Sequence, residues 1–204
     1  WAERMAAIVG LVSEPGAGEA ARAHLDRVRA RMRNYTRPVS TTQSVDRALH
    51  VLTVREHAKR DLLSQHANDR YAGWLVGYVF QGDEPVPLAA TTALAQMFDA
   101  ITADRLPDWL RGLEGVFFAV VYDLSTATVH FATDRLGLRP LYLRATNDAL
   151  AWSSEAKGAA PPVLDRAALD RSSVDVYLKL GHLVGDTTFF RGVLLAPPAS
   201  VGRW

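Results

Sequence analysis

Hydrophobic and polar positions fall into blocks along this chain, and the densest block is residues 113–157. Residues 116–122 form a nearly unbroken apolar run of β-branched and aromatic side chains, closed by Asp123 and a polar turn at Ser125 and Thr126. A strand buried on both faces has this pattern, so a central strand is expected there. Val129, Phe131 and Thr133 alternate with His130, Ala132 and Asp134, which predicts a second strand after a hairpin-length turn. Gly137 and Pro140 bracket a tight bend before 141–143, and Asn147 and Asp148 make another turn before 150–153. The four strands are expected to form an antiparallel meander.

Elsewhere the same reading gives simpler elements. Residues 6–12 read as a buried first strand ending at Glu14, Pro15 and Gly16. Residues 18–34 have helical periodicity, with Leu25, Val28 and Met32 on one face and Arg22, Arg27, Arg29, Arg31 and Arg33 mostly around the other. A strand is expected at 48–54, a short helix or loop at 56–65, and an aromatic-rich strand at 73–80. A helix over 87–101 places Leu94, Met97, Phe98 and Ile101 on one face, and 108–112 closes the approach to the central strand. After a break at Pro161 and Pro162, a helix over 165–180 carries Leu169, Val176, Leu178 and Leu180 and is ended by Gly181.

Composition narrows the function classes. With 204 residues, 49% hydrophobic and 22% charged, the chain is long enough to bury roughly 70% of its unfolded surface. No apolar run approaches the ~20 residues that cross a bilayer, and the first fifteen residues lack the pattern of a secretory signal. A cytoplasmic location with no membrane partner is the expectation. A net charge of +1 gives no bulk attraction for nucleic acid. The arginine-rich 18–34 segment is read as a solvated helix face, with a docking surface for an acidic peptide as the alternative. There is no Cys, which removes disulfides, thiolate metal sites and a thiol nucleophile together. His50, His57 and His66 lie near Glu56 and Asp61, but no pair has the spacing that places two ligands on one helical turn, so no metal site is expected.

Three stretches carry a family resemblance. Gly115 opens Gly-Val-Phe-Phe-Ala, Thr133 opens Thr-Asp-Arg-Leu-Gly-Leu-Arg-Pro-Leu-Tyr, and Ser154 opens Ser-Glu-Ala-Lys. Together they resemble the glutamine-amidotransferase domain at the front of asparagine synthetases. The middle motif, with its fixed Gly and Pro positions, is the specific one. The resemblance implies an α+β fold of the N-terminal-nucleophile hydrolase type, an αββα sandwich of two antiparallel sheets with outer helices. It implies a domain over 1–160, followed over 161–204 by a helix and connector leading toward an ATP-binding synthetase domain that this chain does not contain.

Against that family the machinery of glutamine hydrolysis is missing. The family opens Met-Cys-Gly-Ile and uses the Cys thiol as nucleophile, with its own amine as base. Here the text is Met5, Ala6, Ala7, Ile8, and the methyl of Ala6 cannot attack a carbonyl. Trp1 to Arg4 precede Met5, so the free amine is also expected to be missing, unless those four residues are foreign to the native chain. An Asn-Gly pair holds the oxyanion in the family, whereas Val76 and Gly77 stand here; Gly77 still has a backbone N–H to offer. The family's Asp-Thr-Glu that binds the glutamine amine reads Ala90 to Ala93, and its His-Arg-Gly-Pro-Asp loop is matched only by Tyr35, Thr36, Arg37, Pro38 and Val39, so Arg37 is given no role.

The expectation is therefore a scaffold domain with no catalytic residue and no cofactor of its own. Its parent is expected to be an ATP-dependent amide ligase of the lasso-peptide macrolactam cyclase type, or else a β-lactam synthetase, with ATP and Mg bound by the synthetase domain. Expected partners are that domain and a precursor peptide or biosynthetic proteins. A free-standing peptide- or partner-binding module is the alternative, and an active glutaminase is disfavoured. Gly77, Gly115, Asp134, Arg135, Gly137, Pro140, Ser154, Glu155 and Lys157 are expected to be structural or to face the synthetase domain. Asp134 and Arg135 would brace the turn before Gly137, and Pro140 would fix the entry to the next strand.

Overall fold

The structure, a computed structural model, describes residues 7–14, 17–32, 38–56 and 62–204. In chain order the elements open with β1 (Ala7–Ser13), α1 (Gly18–Arg31), β2 (Pro38–Ser44) and β3 (Leu49–Glu56). Then come β4 (Leu63–Ala67), β5 (Tyr71–Gln81), α2 (Ala90–Thr102), α3 (Leu106–Arg111), β6 (Leu113–Asp123) and β7 (Thr128–Thr133). The last are β8 (Tyr142–Ala145), β9 (Ala149–Ser153), α4 (Ala156–Ala159), a 3-10 turn (Arg166–Ala168), α5 (Arg171–Leu180), β10 (Leu194–Leu195) and β11 (Val201–Arg203). The chain divides into two compact units. One holds the described residues up to 56 together with 141–196, and the other holds 62–140 and 197–204.

The first unit is built on a six-stranded antiparallel sheet in the order β10-β8-β9-β1-β3-β2. β1 is buried over its whole length, as its apolar run predicts. It pairs with β3 through Val9 and Leu52 and with β9 through Gly10 and Trp152. A Cβ on Gly10 would overlap the Trp152 indole, so this strand pair closes only because position 10 has no side chain. Helix α1 lays Ala21, Leu25, Val28 and Met32 against Val9, Leu11, Leu52 and Val54. Burying Leu25, Val28 and Met32 contributes roughly 1.5–3 kcal/mol each.

The second unit has a five-stranded antiparallel sheet in the order β11-β7-β6-β5-β4. β6 is the middle strand, with Phe117 to Asp123 buried. It pairs with β5 from Tyr71 opposite Asp123 to Gln81 opposite Leu113. Helix α2 presses Leu94, Met97 and Phe98 into the cluster formed by Leu75, Val79 and Phe117. The fold class read from the sequence is the one found: two antiparallel sheets flanked by helices, the content of the αββα class.

Several local readings are corrected. The expected single meander is divided: β6 and β7 pair in the second unit's sheet, while β8 and β9 pair in the first unit's sheet. Local alternation fixes which residues form a strand but not which sheet receives it. Within 56–65, residues 57–61 lie outside the described residues, and the rest is strand at both ends, with β4 pairing Leu63 to Val76. The helix expected over 87–101 starts at Ala90. The one expected over 165–180 splits into the 3-10 turn and α5, because Asp165 and Asp170 each accept backbone N–H groups and start separate turns. Gly181 ends α5 at φ +76°. Among the described residues, no helix is long and apolar enough to cross a membrane.

Candidate functional site

The position expected for a nucleophile, Ala6, lies outside the described residues, but the strand it leads into is held in a defined way. The Ile8 N–H donates to Ser154 Oγ at 3.1 Å, and the Ser154 N–H donates to the Ile8 carbonyl at 3.1 Å. Ser154 thus stitches the start of β1 through both its backbone and its hydroxyl. The residues after it turn into α4: the Glu155 N–H donates to Ser153 Oγ at 3.1 Å, and Glu155 and Lys157 form an ion pair at 3.0 Å with both side chains mostly buried.

Asp134 organises the loop between β7 and β8. Its side chain is 1% exposed, and its carboxylate accepts four backbone N–H groups. Leu136 and Leu138 donate to Oδ1 at 2.9 and 3.1 Å, while Phe117 and Arg139 each donate to Oδ2 at 3.1 Å. Its backbone adds more: Asp134 N–H donates to the Phe117 carbonyl at 2.9 Å, and its own carbonyl accepts from Gly137 and Ala199. One acidic side chain therefore ties the loop to the central strand. Arg135 points elsewhere and pairs with Glu114 at 3.1 Å, both side chains well exposed. Gly137 takes φ +64°, and a Cβ there would press on the Pro198 ring. Pro140 is half-buried at the end of the loop, and the tips, Leu136 and Leu138, are 69% and 58% exposed.

At the place expected for oxyanion binding, Val76 is a buried apolar residue of β5 paired with Leu63. The Gly77 N–H is donated to the Leu62 carbonyl at 2.8 Å, so this donor is engaged within its own unit. Sequence reasoning had no signal for that bond, since a carbonyl partner depends on strand geometry rather than residue type. The first turn of α2, where the family places its amine-binding acid, contains no acidic residue.

The electrostatics away from these positions are equally specific. Burial works to raise the Asp123 carboxyl, but hydrogen bonds from Arg70 and Ser125 outweigh it and hold it at about 2. Arg70 donates to Asp123 Oδ2 through Nε at 3.2 Å and Nη2 at 2.9 Å. His50 on β3 hydrogen-bonds Ser44 Oγ through Nδ1 at 2.8 Å, and His66 on β4 stacks on Phe98; the two belong to different sheets. Among the described residues, no three metal-ligating side chains gather.

A pair of helix-flanked antiparallel sheets, with the Asp134 and Ser154 motifs in place and no cysteine anywhere in the chain, defines an amidotransferase-type domain without its thiol nucleophile. The chain belongs to the glutamine amidotransferase domain family, which it matches over residues 96–204, more than half its length. No curated protein matches it. Among solved structures it is similar to a glutamine phosphoribosylpyrophosphate amidotransferase from B. subtilis complexed with ADP and GMP. The identity is 15% over 74% of this chain and 42% of that one, with a TM-score of 0.46. It is also similar to a structure described as the allosteric regulatory enzyme of purine biosynthesis, at 14% identity over 74% of this chain and 42% of that one, with a TM-score of 0.45. The chain thus spans well under half the length of both.

Proposed function

We propose that this domain performs no glutamine chemistry and acts as the scaffold half of an asparagine synthetase-like, ATP-dependent amide-bond-forming ligase. The observation that carries the reading is the contrast within one domain. The motif side chains that build the framework, Asp134 and Ser154, are fully engaged. The groups that would do chemistry are absent: no cysteine exists, Val76 has no donor, and the Gly77 N–H is bound to Leu62. A domain maintained for its shape fits a ligase whose second domain adenylates a carboxylate and whose substrate supplies its own amine. ATP and Mg would then be bound by that second domain, since this sequence contains no glycine-rich phosphate loop. Within this class a lasso-peptide macrolactam cyclase is the specific form we favour, with a β-lactam synthetase second.

The exposed Leu136 and Leu138 support an interface role, because a rigid loop that displays two leucines is suited to contact another surface. The test is ATP–pyrophosphate exchange by a polypeptide that joins this domain to a synthetase domain, with and without a candidate precursor peptide. Peptide-dependent exchange supports the ligase reading; release of ammonia from glutamine by this chain above the blank sinks it.

A further inference from the structure

A cleft in the first unit is lined by none of the amidotransferase-motif residues. It has a volume of about 520 Å³ and lies between the first half of α1 and the end of β1, with Ser13, His24, Arg27 and Arg144 in its lining. Two features mark it as more than a surface dent. Ser13 and His24 are 9% and 6% exposed, and Ser13 Oγ and His24 Nε2 are buried without a hydrogen-bond partner. A buried polar atom left unmade costs about 1–3 kcal/mol, so two beside one cleft call for a ligand that satisfies them.

The second feature is charge. Among the described residues no carboxylate pairs with Arg27, Arg31 or Arg144. Arg144 uses only Nε, on the Ala159 carbonyl at 2.8 Å, and Arg31 donates to the Pro162 carbonyl while its Nη1 stays buried and unpartnered. Burial, then the positive charges of Arg144, Arg31 and Arg27, push His24 down to about 4. Glu14 and Asp148 also line the cleft, but both are solvent-exposed, and neither is among the charges acting on His24. Among the described residues the interior is therefore a hydroxyl and an imidazole beneath a cationic field with no internal counter-ion. The rest of the wall is largely alanine, which leaves room for a small apolar body.

We propose that this cleft binds a phosphate-class oxyanion, either inorganic phosphate or a small phosphate monoester, gripped by Arg27 and Arg144 and hydrogen-bonded by Ser13 and His24. Guanidinium groups suit this ligand because they offer several N–H donors in a fork that matches phosphate oxygens. A dianion also opposes the field that depresses His24, so binding raises that pKa and takes up protons on the acid side of neutrality.

The experiment is isothermal titration of the chain with inorganic phosphate at neutral pH and constant ionic strength. One saturable site is expected, weakened about tenfold or more by Arg27→Gln and by Arg144→Gln, the loss of one charge-assisted contact. Arg111→Gln, an exposed arginine of the other unit, leaves it unchanged. Glycerol phosphate competing with phosphate identifies the monoester as an accepted source; failure to compete restricts the site to the free ion. Circular dichroism checks that Arg144→Gln folds; if it does not, Arg27→Gln, whose side chain is exposed, decides alone. No saturable binding, equal binding by Arg27→Gln, or equal displacement by acetate at the same ionic strength overturns the proposal.

Discussion

Gly77 and Gly115 are reciprocal requirements of one strand pair. Gly77 on β5 takes φ +117° and Gly115 on β6 takes φ +139°. A Cβ on Gly77 would overlap the Val116 carbonyl oxygen, and one on Gly115 would overlap the Tyr78 carbonyl oxygen. Each glycine therefore makes room for backbone beside the other. Substituting alanine at either position forces a strained conformation and a backbone collision together. Both Gly77→Ala and Gly115→Ala are expected to lower stability by on the order of 3 kcal/mol. Urea unfolding checks this, and a midpoint close to wild type in either variant would show that the strand pair relaxes around a methyl group.

Asp134 is expected to be worth more to stability than any exposed ion pair in the chain. Asp134→Asn replaces one acceptor oxygen with a donor that faces N–H groups, so two of them, either Leu136 with Leu138 or Phe117 with Arg139, lose their partner. A charged acceptor of buried N–H groups contributes about 1.5–3 kcal/mol per bond, so a loss of about 3 kcal/mol is expected. Arg135→Ala removes only the exposed pair with Glu114 and should cost less than about 1 kcal/mol. Equal losses in the two variants would contradict the geometry.

The contrast between those residues shows where sequence was informative. The apolar run of β6 and the core face of α2 were legible because burial selects residue type there, while β7 was legible as a strand although its burial does not alternate, Phe131 being partly exposed and Ala132 buried. Strand β2, Pro-Val-Ser-Thr-Thr-Gln-Ser, left no such mark. It is the edge strand beside β3, with exposed Thr41, Thr42 and Gln43, and an edge needs few apolar side chains. β4 was equally faint, since only Leu63 of its five residues is buried. At the candidate site, the missing thiol and donor side chains could be read directly. The bond from Gly77 to Leu62 and the four-fold capping by Asp134 could not, because both depend on which backbone groups the folded chain brings together.

Acid sensitivity is expected in two separate windows. His24 has its pKa lowered to about 4 by burial and then by Arg144, Arg31 and Arg27, against the ordinary 6.5 in the unfolded chain. Between those values the unfolded state binds the extra proton. The contribution is therefore fully present above about pH 6.5 and is lost as pH falls toward 4, by at most ~3 kcal/mol. His50 and His130, both pushed down first by burial, add in the same direction. Asp123, held at about 2, keeps its contribution above the ordinary carboxylate range and loses it as pH falls through 2. Urea midpoints measured across these ranges should show both declines, and His24→Asn should shrink the first, leaving the share of His50 and His130, and leave the second unchanged. An unchanged first decline in that variant would mean His24 does not carry it.

Restoring the thiol alone is not expected to restore glutamine hydrolysis. In an Ala6→Cys chain trimmed to begin at residue 6, both the nucleophile and its amine base are supplied. The transition state still lacks its side-chain donor at Val76, and the neighbouring Gly77 N–H is committed to the Leu62 carbonyl. Losing one oxyanion donor costs a factor of about 10²–10³ in rate, and the first turn of α2 has no acid to hold the substrate amine. Ammonia release from glutamine should therefore stay at the blank, measured by coupled glutamate dehydrogenase assay. Adding Val76→Asn supplies the side-chain donor, so any activity should appear first in the double variant. Hydrolysis by the trimmed Ala6→Cys chain alone would mean that the strand at Val76 and Gly77 frees its N–H when substrate is bound, and that one substitution with a new start separates this domain from a working glutaminase.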